Sequence, residues 1–366
     1  MSSSSASSSS DSSGSVLLDP VRIGDFQLRN RVVMAPLTRC RSAAGRVPTP
    51  LMAEYYGQRA GAGLILSEAT SVTPQGVGYP NTPGIWSDEQ VEGWKQVTKA
   101  VHDRGGLILL QLWHVGRMSD PIYLNGDLPV APSAVRPEGH ISLVRPKRGF
   151  VTPRALRLDE IPGIIEAYRK GAENAKAAGF DGVELHGANG YLLDQFLQDS
   201  TNLRDDEYGG PVENRARLML EVTDAVISVF GAGRVGMHLA PQSDAHSMGD
   251  SDPLATFTYV ARELGRRKIA FICARESVNN PKRLGPRLKE AFGGSFIINQ
   301  GLTKEAAEST IEKGEADAAA FGVSFIANPD LVHRFSLNAP LNTPTPETFY
   351  ADEGTDYRVG YTDQPT

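Results

Sequence analysis

Eight short apolar runs, recurring through the chain and each followed by an amphipathic stretch, constrain its fold more than any other feature. They are Val32–Ala35, Leu64–Ser67, Leu107–Leu112, Gly182–Leu185, Val235–Leu239, Ala270–Ala274, Phe296–Ile298 and Ala318–Phe321. Each is too short for a buried helix, and continuous rather than alternating apolar character is what a parallel strand covered on both faces requires. The intervening segments carry helix signals. Ser87 and Gln90 make a capping box ahead of the stripe Val91, Trp94, Val97 and Val101, with Gly105 beyond its end. Pro253 stands at a first helical position, followed by Leu254, Phe257, Val260, Ala261 and Leu264 on one face, and Gly265 is expected to stop that helix. Pro162 opens a stretch running to Gly179, and Thr303 to Gly314 supplies another helix.

Eight strands alternating with helices predict an α/β fold, a single (β/α)8 TIM barrel, with a doubly wound open sheet as the alternative. Gly24-Asp25 marks a small N-terminal hairpin ahead of the first strand, placed to plug the barrel floor. The loop after the third strand, Val115 to Leu158, is extended. It and the interval Leu197 to Pro211 are expected to cover the mouth. Residues 16–366 form the barrel on this reading. Residues 1–15 contain 11 Ser with no basic residue and no apolar run, which predicts a disordered tail rather than a secretory signal.

A net charge of -6 argues against nucleic acid and anionic membranes as partners. No stretch approaches the roughly 18 consecutive apolar residues of a membrane span. Cys40 and Cys273 are the two cysteines, too few for a disulfide framework, so a cytoplasmic location fits. No metal site is expected.

In such barrels the chemistry lies at the carboxyl ends of the strands. There the chain places Met34-Ala35-Pro36-Leu37-Thr38-Arg39, Gln111-Leu112-Trp113-His114 and His186-Gly187-Ala188-Asn189-Gly190-Tyr191. His186 and Asn189 can aim two donors at one oxygen, and Tyr191 can supply a proton. Taken alone, the same residues suit a satisfied core histidine followed by a turn.

Longer matches decide between these readings. Arg31 to Arg39, Tyr55-Tyr56-Gly57-Gln58-Arg59-Ala60, Gly63 to Thr70, Gln111 to Arg117, Tyr208-Gly209-Gly210, Glu213-Asn214-Arg215, Ile326 to Leu331 and Gly360-Tyr361-Thr362-Asp363 occur in order. In these the chain resembles the old yellow enzyme family of FMN-dependent ene-reductases. The resemblance implies that FMN is the cofactor, that NADPH or NADH is the co-substrate, and that the partner is a small activated alkene, quinone or nitro compound. It implies that Ala35, Pro36, Leu37 and Thr38 line the flavin, that Gln111 holds its pyrimidine edge and that Ala69 touches the ring. His186 and Asn189 would hold the substrate carbonyl, with Tyr191 as acid and Tyr79, Trp113 and Tyr350 near the substrate. The active form would be a monomer or a homodimer.

Three positions depart from the family pattern. His238 stands where an Arg commonly faces the flavin pyrimidine, Gln300 where Gly is usual in the phosphate loop, and Val323 where an Arg commonly binds phosphate. Backbone donors at Gly301, Gly322 and Val323 are then left to hold the phosphate. The alternative these departures leave open is a flavin-free barrel working as an isomerase, a cyclase or a binding protein.

Overall fold

The computed structural model describes residues 14–351, 354 and 356–366. The expected 1–15 tail therefore lies outside the described residues, except for Gly14 and Ser15; the Ser15 hydroxyl bonds Glu308.

The eight strands are β1 (Val32–Met34), β2 (Leu64–Leu66), β3 (Ile108–Trp113), β4 (Gly182–Gly187), β5 (Val235–Leu239), β6 (Phe271–Arg275), β7 (Ser295–Asn299) and β8 (Ala318–Phe321). All pair in parallel in chain order, β8 returns to β1, and the β2–β3 pairing completes the ring. The helices α1 (Pro50–Gln58), α2 (Asp88–His102), α3 (Ile161–Ala177), α4 (Arg217–Phe230), α5 (Pro253–Arg267), α6 (Gly285–Phe292), α7 (Lys304–Glu312) and α8 (Leu331–Leu337) follow the strands one for one. This is a closed (β/α)8 barrel.

Period two explains how such short strands hold two layers together. On β1, Val32 and Met34 point outward into the helix-packed cluster. Val33 points inward with Leu64, Leu66, Leu109, Phe271, Cys273, Ile297, Ala318 and Ala320. The predicted hairpin, Val21–Ile23 with Phe26–Leu28, closes this inner cluster from below with Ile23, Phe26 and Leu28. Gly24 makes its turn at φ +55, and a Cβ there would fall 2.4 Å from the Gly233 carbonyl oxygen. The plug therefore needs glycine for both conformation and space.

The capping box at Ser87 and Gln90 is formed, and Thr303 and Asp252 cap α7 and α5 through their side chains. One expectation fails here. Gly265 does not end α5, which runs to Arg267 with Lys268 left-handed beyond it. A Cβ at Gly265 would lie 2.2 Å from the Phe292 carbonyl oxygen at the end of α6, so this glycine allows close helix packing instead of terminating a helix.

The mouth also differs in one part. The long loop after β3 does reach the rim through His140 to Lys147. The 197–211 interval lines neither rim cavity; Arg204 fastens it to the outside of the long loop, donating to the carbonyls of Leu156 and Pro132. Ala245 and His246, after β5, occupy the rim instead.

The C-terminal segment returns across the first βα connection. Arg39 donates to the carbonyls of Phe349 and Gly360, Arg41 to that of Tyr357, and Tyr361 stacks on Tyr55 at 4.0 Å. These contacts carry Phe349 and Tyr350 to the barrel mouth. Among the described residues no helix is long and apolar enough to cross a membrane.

Candidate active site

A cavity of about 470 Å³ opens at the carboxyl ends of the strands, within the range of cofactor sites. Ala35, Pro36, Leu37 and Thr38 follow β1 along one wall, and Ala69 follows β2. Gln111 and Trp113 come from β3, His186 from β4 with Asn189 and Tyr191 beyond it, and His238 from β5. Gln300 and Gly301 follow β7, Gly322 and Val323 follow β8, and Tyr350 enters from the C-terminal segment. Tyr79 is set one step out, in an adjoining cavity of about 660 Å³ that shares Asn189, Tyr191 and Tyr350. It reaches the site through its hydroxyl, 2.8 Å from that of Tyr191.

Strand register accounts for the interior pairs. Gln111 lies beside Glu184 and His186 beside His238. The Gln111 amide donates to Glu184 Oε2 at 2.7 Å, which leaves the Gln111 oxygen toward the cavity.

His186 is buried, and that burial, followed by the nearby charges of His238 and Arg275, holds its pKa well below the usual histidine value. The neutral ring accepts at Nδ1 from the Ala188 N–H at 3.4 Å, so its proton is on Nε2. Asn189 sits at φ +59, in the left-handed region that asparagine tolerates best among non-glycine residues. Its Oδ1 accepts from Arg275 Nη1 at 2.7 Å. A guanidinium only donates, so the atom it meets must be the amide oxygen, and the Asn189 NH2 is the remaining branch. Tyr191 packs edge-on against His186 at 4.9 Å and Trp113 at 5.0 Å. Burial raises its pKa well above 10, so at neutral pH it holds a proton.

Beneath the turn, Asp194 accepts from the Gly190 N–H at 2.8 Å and from Gln198 at 2.7 Å. Burial pushes the Asp194 carboxyl up to about 7.

The site fits FMN on two counts. Among the described residues neither ring nitrogen of the buried His238 has a hydrogen-bond partner, nor does Glu184 Oε1, which is 3.4 Å from His238 Nδ1. Such groups are costly to bury unless something pairs with them, and the pyrimidine edge of a flavin offers donors and acceptors of the right kind. At the other end, Gln300 and Gly301 both adopt positive φ (+103 and +62), and Val323 begins a short helix whose first N–H groups have no intrahelical partner. Among the described residues no cationic side chain lines this end, which is formed by Gln300, Gly301, Gly322, Val323 and Ser324.

Arg275, Asn299 and Phe349 line the cavity and were not singled out in the sequence. The strand-end rule reaches Arg275 once β6 is extended by one residue past Ala274. Phe349 is delivered by the C-terminal return, for which no local signal exists.

Comparison with known proteins agrees with this geometry. The model of the NADH:flavin oxidoreductase / NADH oxidase family matches residues 16–342. The chain is 45% identical over 360 residues to 12-oxophytodienoate reductase 1 of Oryza sativa subsp. japonica, covering 95% of this chain and 92% of that one. It is 44% identical to 12-oxophytodienoate reductase 2 of Arabidopsis thaliana, over 96% of this chain and 95% of that one. Among solved structures, an old yellow enzyme homologue from Zymomonas mobilis superposes with a TM-score of 0.92 at 47% identity, covering 96% of this chain and 99% of the other. Morphinone reductase in complex with tetrahydroNAD gives 0.91 at 48% identity, covering 95% and 97%. The chain thus belongs to the NADH:flavin oxidoreductase / NADH oxidase family, and is an NAD(P)H-dependent FMN oxidoreductase of the old yellow enzyme type.

Proposed function

We propose that this enzyme reduces the C=C bond of α,β-unsaturated carbonyl compounds. The observation that carries the reading is the arrangement on β4 and the turn after it: a neutral His186 with its proton on Nε2, an Asn189 whose amide donor is left free by Arg275, and a protonated Tyr191 packed against the His186 ring.

Ala35, Pro36, Leu37, Thr38, Ala69, Gln111, His238, Gln300, Gly301, Gly322 and Val323 would hold FMN. When bound, FMN supplies the hydride, taken from NADPH or NADH in a preceding half-reaction, that the β-carbon of the alkene accepts. The substrate carbonyl oxygen rests on His186 Nε2–H and Asn189 Nδ2–H, which stabilise the negative charge that develops there. Tyr191 then gives its proton to the α-carbon, so that hydride and proton together saturate the bond. Tyr79 donates to the Tyr191 oxygen as that proton leaves. Trp113 and Tyr350 shape the space beside the reacting carbons.

The test begins with colour: purified protein saturated with FMN should be yellow and bleach on adding NADPH or NADH. His186→Ala should stay yellow and bleach at the parent rate, yet reduce cyclohexenone ~100- to 1,000-fold more slowly, the usual cost of one oxyanion donor. Parent-rate enone reduction by that variant would show that His186 is not the carbonyl donor.

A further inference from the structure

The inner cavity holds a cation that the reaction above leaves partly unused. Arg275 closes β6 and lines both the flavin-sized cavity and the adjoining outer one. One nitrogen, Nη1, is spent on Asn189 Oδ1. A guanidinium carries five N–H donors, and among the described residues Arg275 forms no ion pair. Its sequence neighbour Glu276 is turned away, accepting from the Leu284 and Gly285 N–H groups at 2.6 and 2.8 Å. Among the described residues no carboxylate lines either cavity. The outer cavity adds Arg145, Lys147 and His140 from the loop after β3. A chain of net charge -6 has thus assembled an entrance that, among the described residues, is cationic and free of carboxylates, around one half-buried guanidinium. The remaining N–H groups of this half-buried fork are available to a ligand, and a planar oxyanion matches them with two parallel hydrogen bonds.

We propose that Arg275 is a specificity-determining residue that anchors an oxyanion, a carboxylate or a phosphate, on one of the two molecules that enter the cavity. The proposal rests on the reductase reading and extends it. Arg275 reaches the site from the Asn189 side, so the oxyanion lies toward the outer cavity, beyond the carbonyl held by His186 and Asn189. A carboxylate would belong to the alkene, on a side chain extending outward from its carbonyl end. A phosphate would belong to the nicotinamide nucleotide.

The experiment uses the FMN-saturated enzyme and two ratios measured within each variant, so that any disturbance of Asn189 cancels. A cyclic enone bearing a propanoate side chain is compared with its methyl ester, and NADPH with NADH, in the parent, Arg275→Leu and Arg275→Gln. The parent should favour the anionic member of one pair by about 10- to 100-fold in kcat/KM, what a hydrogen bond to a charged group is worth. Both variants should bring that ratio close to one. Collapse of the acid-to-ester ratio assigns the oxyanion to the alkene, and collapse of the NADPH-to-NADH ratio assigns it to the nucleotide. Ratios unchanged in folded, yellow variants overturn the proposal. So does loss of FMN on gel filtration with both ratios intact, which would make Arg275 a cofactor contact. Calorimetric affinities for the acid and ester are read in parallel. Should no variant, nor the parent, reduce the neutral ester, the reductase reading fails, while the affinity ratio still decides the role of Arg275.

Discussion

Tyr79 and Tyr191 share a 2.8 Å hydroxyl contact in which either oxygen can donate, but the two rings are placed unequally. Tyr191 lines both cavities and Tyr79 the outer one alone, so on the proposed reading Tyr191 meets the reacting carbon and Tyr79 acts through it. Tyr191→Phe should therefore slow alkene reduction by about 100-fold or more, and Tyr79→Phe by about 10-fold. The double variant should be no slower than Tyr191→Phe alone, because a residue acting through another has nothing left to assist once that one is gone. Single-turnover reduction of an enone reads all four forms, and additive losses would show that Tyr79 meets the substrate directly. Gln300 makes a second residue-scale case. At φ +103 it occupies backbone space that favours glycine, which is what the usual residue at this place would supply. At ordinary loop sites Ala is at least as stabilising as Gly, since glycine loses more chain entropy on folding. Here the order should reverse, with Gln300→Gly more stable than Gln300→Ala by about 1 kcal/mol in denaturant melts. Tyr191 was legible because it follows a strand end, and Tyr79 and Gln300 only because their positions match the family that the chain resembles. Arg275 was not, because the apolar run marking β6 stops at Ala274 and an arginine after it reads as solvent-facing.

At the scale of elements, the strands were legible to within a residue or two because a strand buried on both faces is mostly apolar, its few buried polar members here (Gln111, Glu184, His186 and His238) being grouped at the cavity. The short extensions were not. Thr70–Ser71, which pairs beside β3, and the Val130–Ala131 and Arg154–Ala155 pair in the long loop are two residues each, too short to display a period. Gly265 shows the opposite failure, a strong local signal overruled from outside. Its position after an apolar stripe looks like a helix stop, but its lack of a Cβ serves the Phe292 carbonyl, 27 positions away in the chain. On propensity alone Gly265→Ala would stabilise α5 by about 1 kcal/mol. The contact of 2.2 Å reverses the sign, because backbone cannot yield as a flexible side chain can. The substitution should destabilise by about 1–3 kcal/mol in chemical denaturation, the usual cost of overpacking. Stabilisation instead would mean that α5 and α6 separate freely.

For the whole molecule, pH is the variable on which buried and surface carboxyls pull in opposite directions. Glu160, fastened to Arg154 by two 2.8 Å bonds, is held down to about 2 by that partner. A depressed carboxylate gives stability that is present above its unfolded value of 4.5 and lost as pH falls toward 2. Asp194 and Glu68 are the reverse: burial pushes each up to about 7, from 3.8 and 4.5. The folded state then prefers their neutral forms. Their contribution is complete below about pH 4 and lost as pH rises through 7. For Asp194 the difference between 3.8 and about 7 corresponds to about 4 kcal/mol, an upper bound for a buried group that retains two hydrogen bonds. The two windows meet only between 3.8 and 4.5, so stability should climb as pH is lowered from about 7 to 5 and fall again below about 3.8. Asp194→Asn isolates one part of the climb. Its oxygen can still accept from the Gly190 N–H, and the Gln198 amide can turn over to meet the new NH2 group. The turn carrying Asn189 and Tyr191 is thereby kept while the titration is removed. Calorimetric Tm of the FMN-saturated forms, measured at steps from pH 8 to pH 5, should rise less steeply for the variant, with its largest gain over the parent at pH 8. Parallel curves would mean that Asp194 keeps its charge throughout, stabilised by its two donors in spite of its burial, and that the pH response of the barrel originates elsewhere.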